Sequence, residues 1–122
     1  MAPNAQLLMQ DAGPASATSI IVQDFEGTLT QAYAAGARVH NNSWGAKTGG
    51  QYSDNDQNLD RVTFDNDELL VVVSAGNDVA GAMATGSPGN AKNALTVGAL
   101  GHGGNLAKAS YSNNGPTADG RM

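Results

Sequence analysis

The chain has no cysteine, and this absence excludes several kinds of chemistry at once. Without a thiol there is no disulfide framework, no thiolate metal site and no cysteine nucleophile. Basic residues are also scarce: Lys and Arg total 6 against 11 Asp and Glu, which gives a formal net charge of −5. Surfaces that bind nucleic acid or anionic membranes need clustered Lys and Arg. We therefore expect neither nucleic acid nor a membrane as a partner.

Long apolar runs are missing as well. No stretch approaches the ~20 apolar residues of a transmembrane helix. The opening letters, MAPN, contain neither the basic nor the apolar region of a signal peptide. What is present is typical of a globular, loop-rich chain: of 122 residues, 40% are hydrophobic, 14% are charged and 16 are glycine. This length allows one domain or part of one.

Short apolar segments alternate with helical patterns along the chain. The run from Ala5 to Gln10 (AQLLMQ) predicts a buried strand. A helix is predicted next, with Asp24 as its N-cap and Gly36 as its C-cap. Between these caps, apolar residues recur at helical spacing: Phe25, Leu29, Ala32 and Tyr33. A second strand is predicted within residues 37–41 and a weaker helix within 53–67. Two more strands are predicted within residues 69–74 and 94–99.

The run LLVVVS, residues 69–74, is the strongest strand signal. It is rich in β-branched residues and does not alternate with polar ones, which is typical of a central strand buried on both faces. Strands that alternate with helices form βαβ units with right-handed crossovers. We therefore predict an α/β fold with a parallel sheet and flanking helices, as part of a three-layer, Rossmann-like arrangement.

Two polar loops follow predicted strands. They are Asn42-Ser43-Trp44-Gly45 and Ser74-Ala75-Gly76-Asn77-Asp78. In open α/β sheets, ligands bind beyond the carboxyl ends of the strands. We therefore expect the two loops to open on the same edge of the sheet.

Four segments together carry a recognisable pattern. They are VHNNSWG (39–45), VVVSAGND (71–78), SPGNAKNALTVGA (87–99) and YSNNGPTADGR (111–121). In this order and spacing they resemble the middle of subtilisin-like serine proteases, the subtilase or peptidase S8 family, and in particular alkaline bacterial subtilases. The opening MAPNAQLLMQ resembles the family segment that follows the helix of the catalytic His. The resemblance covers essentially the whole chain.

The resemblance implies a secreted serine endopeptidase that hydrolyses peptide bonds with an Asp/His/Ser triad. The family's triad motifs, including G-H-G-T-H and G-T-S-M, do not occur in these 122 residues. We therefore interpret the chain as an incomplete, central segment of a subtilase catalytic domain that is inactive alone. The family chemistry requires no cofactor, although calcium is possible as a structural ion.

The family also implies a partner. The family strand that carries the triad Asp would pair with the run from Ala5 to Gln10. Without that strand, this edge of the sheet would be unpaired. Unpaired sheet edges recruit other chains, so we predict self-association into a homo-oligomer through this edge.

By the resemblance, Asn77 matches the oxyanion-hole residue. A fixed amide donor suits this role because it stabilises the charge of the tetrahedral intermediate and does not titrate. The alternative is that Ala75-Gly76-Asn77-Asp78 is only a turn, because Gly, Asn and Asp are common in turns.

The same resemblance assigns the substrate pocket. Ser43, Trp44 and Gly45 match one wall of the pocket for the P1 side chain, and the opposite wall is matched by Ser74, Ala75 and Gly76. An extended peptide would bind there by adding a strand. Trp44 can alternatively be a core aromatic beneath a loop.

Other motifs support weaker hypotheses. His102 lies in GHGG, which lacks the T-H half of the catalytic motif, and we expect an exposed loop residue; for His40 we expect a structural role. The acidic series between Asp54 and Asp60 lacks the EF-hand spacing, so a solvated helix face is expected. Gly45-Ala46-Lys47-Thr48 is a poor match to a phosphate loop. A non-catalytic module that binds peptides or nucleotides stays as the alternative function.

Overall fold

The computed structural model describes residues 3–13, 20, 22–78, 84–104 and 106–121. In these residues the element order is α1 (Phe25–Ala34), β1 (Val39–Asn42), α2 (Asp54–Asp65), β2 (Leu70–Ser74) and β3 (Leu95–Val97). The three strands form one sheet in the order β1-β2-β3, and both pairs are parallel. The predicted α/β fold with a parallel sheet and flanking helices is confirmed. Neither of these helices is long and apolar enough to cross a membrane.

Helix α1 begins and ends where the sequence predicts. The side chain of Asp24 accepts a hydrogen bond from the Gly27 backbone N–H at 2.8 Å, which satisfies one of the free donors of the first turn. Gly36 follows the helix with φ +99°, a backbone conformation that other residues rarely adopt. The apolar stripe of Phe25, Leu29 and Ala32 is buried.

Helix α2 is also present, but one of its acidic side chains differs from expectation. Its apolar residues Leu59 and Val62 are buried, whereas Phe64 is 81% exposed. Asp56 is fully buried and accepts hydrogen bonds from the Ser53 backbone at 2.8 Å and the Asn90 backbone at 3.0 Å. The prediction of a solvated acidic face is therefore wrong at Asp56, because backbone N–H groups from two segments of the chain donate to its carboxylate.

The core lies between the helices and one face of β2. It contains Phe25, Leu29, Leu59, Val62, Leu69, Val71, Val73 and Ala91. Side chains on the other face of the sheet are partly exposed: Leu70 is 43% and Leu95 is 51% exposed. The expected burial of β2 on both faces is therefore wrong for this face, because no helix among the described residues covers it.

Residues 5–10 do not form the predicted buried strand. Leu7 and Met9 are 87% and 86% exposed, and no described residue makes a backbone hydrogen bond to this run. A strand needs a neighbour that satisfies its backbone N–H and C=O groups, and here β1 is instead the sheet edge. The unpaired strand edge predicted at Ala5 to Gln10 is therefore not formed in this structure, and self-association through these residues stays a prediction.

Candidate functional site

The loops after β1 and β2 face each other across a cleft of about 200 Å³. Because parallel strands end on the same side of a sheet, both loops reach this edge. The described residues that line the cleft are Ser43, Trp44, Gly45, Ala46, Lys47, Ser74, Ala75, Gly76, Asn77, Asp78, Gly86 and Asn113. The structure thus brings every residue predicted for the oxyanion hole and the P1 pocket to one cleft.

Asn77 lies three residues beyond the end of β2, exposed on the lining of the cleft. Its side-chain amide forms no hydrogen bond with any described residue. The amide is therefore free to donate to a ligand in the cleft. A neutral amide donor of this kind can stabilise negative charge that develops on a ligand.

The residues on either side of Asn77 are tied to Asn113. The backbone N–H of Asn113 donates to Gly76 O at 3.1 Å. Its side chain accepts from the Asp78 backbone N–H at 3.0 Å and donates to Asp78 Oδ2 at 2.8 Å. Asn113 is itself buried. The sequence motif that contains it, YSNNGPT, gave no signal of this role, because the contact spans 35 residues of chain.

The Asp78 carboxylate also forms a salt bridge with Lys47, which comes from the loop after β1. The hydrogen bond from Lys47, followed by the one from Asn113, lowers the pKa of Asp78 from its ordinary value of 3.8. Asp78 is thereby kept ionised, and its charge neutralises Lys47. A lysine paired in this way does not favour the phosphate-loop interpretation of Gly45-Ala46-Lys47-Thr48.

On the opposite wall, Trp44 fits both of its interpretations. Its ring packs edge-to-face on Phe25 of α1, with centroids 5.2 Å apart, so it contacts the core. It also borders the cleft beside Ser43 and Gly45. The adjoining Ala46 forms an antiparallel bridge with Ser87 through hydrogen bonds of 2.9 and 3.0 Å, which fixes the end of this wall.

A chain of hydrogen bonds connects the Trp44 indole to the residues of β1 and then to α1. The indole Nε1–H donates to Asn42 Oδ1 at 3.1 Å, and Asn42 Nδ2 lies 3.0 Å from His40 Nδ1. His40 Nε2 lies 2.9 Å from Gln10 Oε1, and Gln10 Nε2 donates to Thr28 O at 2.9 Å. We call this the Trp44 relay.

The relay determines the tautomer of His40. Because an indole can only donate, the Asn42 oxygen must face Trp44 and the Asn42 NH₂ must face His40. His40 Nδ1 is then the acceptor, and Nε2–H donates to Gln10. Burial lowers the pKa of His40 from 6.5, which favours this neutral form. His40 therefore has a structural position in the fold, as its place at a strand end suggested.

The remaining candidates lie outside the cleft. His102 is exposed in a loop after β3. No group of three or more His, Cys, Asp or Glu in the described part of the chain could hold a metal ion. A calcium site of the parent protein stays a prediction.

Comparison with known proteins gives the family. The family model described as "Subtilase family" (Peptidase_S8) matches residues 1–122. The chain is 36% identical over 107 residues to the alkaline proteinase of Hapsidospora chrysogena, which covers 88% of this chain and 25% of that protein. It is 32% identical over 103 residues to the serine protease/ABC transporter B family protein tagB of Dictyostelium discoideum, which covers 81% of this chain and 5% of that protein. The chain thus spans a quarter or less of these relatives.

A solved structure shows the same fold. The prenylagaramide maturation protease PagA superposes with a TM-score of 0.67 at 22% identity, over 87% of this chain and 37% of that one. Its likeness concerns the fold alone. Together with the family match over the full 122 residues, the parallel α/β fold and the order of the motifs lead to one conclusion: the chain belongs to the subtilase family of serine proteases.

Proposed function

We propose that the chain is the central segment of a subtilisin-like serine endopeptidase and forms the oxyanion-hole and P1-pocket half of its active site. The Asp, His and Ser of the triad would come from segments outside these 122 residues. The observation that supports this most is the free Asn77 amide on the lining of a cleft whose other wall is Ser43, Trp44 and Gly45. The parent protein is proposed to be secreted and to act on peptides or proteins.

The chemistry follows from this arrangement. An extended peptide would lie between the loops after β1 and β2, where backbone groups can pair with it as with an added strand. When a nucleophile attacks the scissile carbonyl, the oxygen becomes negatively charged, and the Asn77 NH₂ would donate a hydrogen bond to it. Because this bond is stronger to the charged intermediate than to the substrate carbonyl, it accelerates the reaction.

The 122-residue chain alone is proposed to be inactive, because it lacks the nucleophile motif. A fluorophosphonate, which labels activated serines, should therefore leave the purified chain unlabelled. Stoichiometric labelling would show that one of its own serines is activated and would overturn the assignment of the nucleophile to other segments.

The proposal is tested by replacing Asn77 with Ala in the full-length protein and measuring peptide hydrolysis. We expect kcat to fall by roughly 10²–10³, with little change in KM. This magnitude was measured for the oxyanion-hole Asn of a subtilisin and is borrowed from that family member. The matched control is Asn55→Ala on α2, which removes the same side chain at a residue that does not line the cleft and should leave kcat unchanged.

Two results would contradict the proposal. One is full activity in the Asn77→Ala protein, because the cleft would then not hold the oxyanion. The other is a full-length protein that binds extended peptides in this cleft but never cleaves them. That result would favour the non-catalytic binding module.

A further inference from the structure

Residues 75–78, which present Asn77, have no regular secondary structure, although a donor to an oxyanion must be held in place before charge develops. Glycine precedes Asn77, and Gly76 has φ +107°, a conformation that is open to few other residues. The Ala75 N–H donates to Val97 O at 2.9 Å, which holds the start of the loop beside β3. Around Asn77 itself the restraint comes from Asn113, which bonds to the residues before and after Asn77, and from the salt bridge of Lys47 to Asp78.

We propose that Asn113 is the positioning residue of the Asn77 amide, an inference that rests on the function proposed above. Asn113 binds the loop through its backbone at Gly76 and through both polar atoms of its side chain at Asp78. Asn77 is the single residue between these two attachment points. Its backbone is therefore held from both sides, while its side chain is left free in the cleft.

The chemistry of the contact requires an amide at position 113. The oxygen must accept from the Asp78 N–H, and the nitrogen must donate both to the Asp78 carboxylate and to Ala84 O, at 2.8 and 3.1 Å. Aspartate keeps the acceptor but places a negative oxygen against a second carboxylate. Leucine, which has nearly the same shape, has neither a donor nor an acceptor. Only a side chain with a donor and an acceptor on the same carbon satisfies all three partners.

The close approach of the two segments is consistent with this role. A Cβ atom added to Gly76 would lie 2.6 Å from Asn113 Nδ2, so the glycine lets the amide contact the loop directly. Lys47 holds the other oxygen of Asp78. Asp78 is thus fixed on one side by the loop after β1 and on the other by Asn113.

The test uses the 122-residue chain, an extended tetrapeptide amide and NMR. In the unaltered chain, the peptide should shift the signals of the Asn77 side-chain NH₂ and of the backbone amides of Ser43 and Gly45. In Asn113→Asp, we expect the peptide affinity detected at Asn77 to weaken on the order of tenfold. This is the loss expected if only about a tenth of the molecules keep the loop in its binding conformation. The control Asn114→Asp introduces the same charge one residue away and should leave the binding unchanged.

A charge swap gives a second readout that a merely structural residue would not change. In the double variant Asp78→Asn with Asn113→Asp, the amide and the carboxylate exchange places, so a donor again faces an acceptor. Binding at Asn77 should recover part of the loss, because residues 78 and 113 regain their side-chain pairing while Ala84 O stays without its donor. Lowering the pH should also rescue Asn113→Asp, because one proton shared between the two carboxyl groups restores a donor.

The outcomes separate this inference from the proposed function. If the unaltered chain shows no shift at Asn77, Ser43 or Gly45, the peptide cleft fails and the inference fails with it. If those shifts are present and Asn113→Asp leaves the one at Asn77 unchanged, only the positioning role of Asn113 is overturned. If Asn113→Asp does not fold, the double variant is compared with Asp78→Asn alone. Similar binding at Asn77 supports the pairing, and a further loss on the order of tenfold, the effect expected of an unpaired loop, contradicts it.

Discussion

The two walls of the cleft are held by different kinds of interaction. The wall that carries Asn77 is fixed by the Asp78 carboxylate, which is paired with Lys47 and with the Asn113 amide. The wall that carries Trp44 is fixed by the Trp44 relay, in which every group is neutral. One wall thus depends on charge, and the other on hydrogen bonds whose directions are all determined.

This difference predicts different sensitivities for the two walls. A charged, partly open contact is screened by salt and tolerates the loss of one partner. A neutral, part-buried relay is insensitive to salt, but the removal of one member leaves its neighbours without partners. Protonation of His40 would place a second N–H against the Asn42 amide, so the relay is also sensitive to acid.

The largest effect is expected from breaking the relay at its buried member. Asn42 is 1% exposed, and Asn42→Ala leaves both the Trp44 N–H and the His40 Nδ1 without a partner. We expect the free energy of unfolding to fall by about 1–2 kcal/mol, because two part-buried polar groups lose their partner. Urea unfolding followed by Trp44 fluorescence measures this. Asn41→Ala, at the exposed neighbour, is the control, and equal losses for the two variants would contradict the relay.

The two walls should respond to acid at different pH values. Burial lowers the pKa of His40 below 6.5 in the folded chain, so the unfolded chain binds this proton more readily. The contribution of neutral His40 to the free energy of unfolding is therefore fully present above about pH 6.5 and is lost as the pH falls through its lowered pKa in the folded chain. The pKa of Asp78 lies below 3.8, so its contribution is present above that pH and is lost only in stronger acid.

The measurement is an NMR titration that follows the Trp44 indole N–H and the Asp78 backbone amide. The indole signal should move first, and the Asp78 signal should move at a lower pH. His40→Asn removes the titrating ring, and the early transition should disappear with it. Simultaneous transitions at Trp44 and Asp78 would show that the walls are not independent.

The smallest effect is expected at Lys47. Its side chain is 85% exposed, so Lys47→Met should change the unfolding midpoint only slightly, because exposed ion pairs contribute little. The pKa of Asp78 should rise, since the largest cause of its lowering is removed. An Asp78 titration at low and at high salt measures this. A loss of stability as large as that of Asn42→Ala would reverse the comparison between the walls.

Much of the fold could be predicted from local signals. Helix α1 is encoded by its N-cap Asp24, its apolar spacing and Gly36, and β2 by a β-branched run, so neither depends on distant residues for its identity. The edge at which the cleft opens follows from the parallel order of the strands. Residues 5–10 show the limit, because an apolar run becomes a strand only beside a partner strand.

The buried amides in and around the site could not be predicted. Asn42, Asn90 and Asn113 are buried, yet asparagine in a sequence usually indicates a turn or an exposed loop. Asn42 bonds to His40 and Trp44, two residues away on either side, whereas the roles of Asn90 and Asn113 depend on partners that lie far along the chain, such as Asp78 for Asn113. Asp56 was misplaced for the same reason, since its donors include the backbone of Asn90.

The most direct test is the structure of the full-length protein with a peptide boronate bound, which mimics the tetrahedral intermediate. The distance to measure joins Asn77 Nδ2 to the oxygen that represents the oxyanion. We expect it to lie at roughly 2.7–3.1 Å, the range for such a donor, with the peptide between the two loops. An Asn77 amide turned away from that oxygen, or a boronate bound outside this cleft, would contradict the assignment.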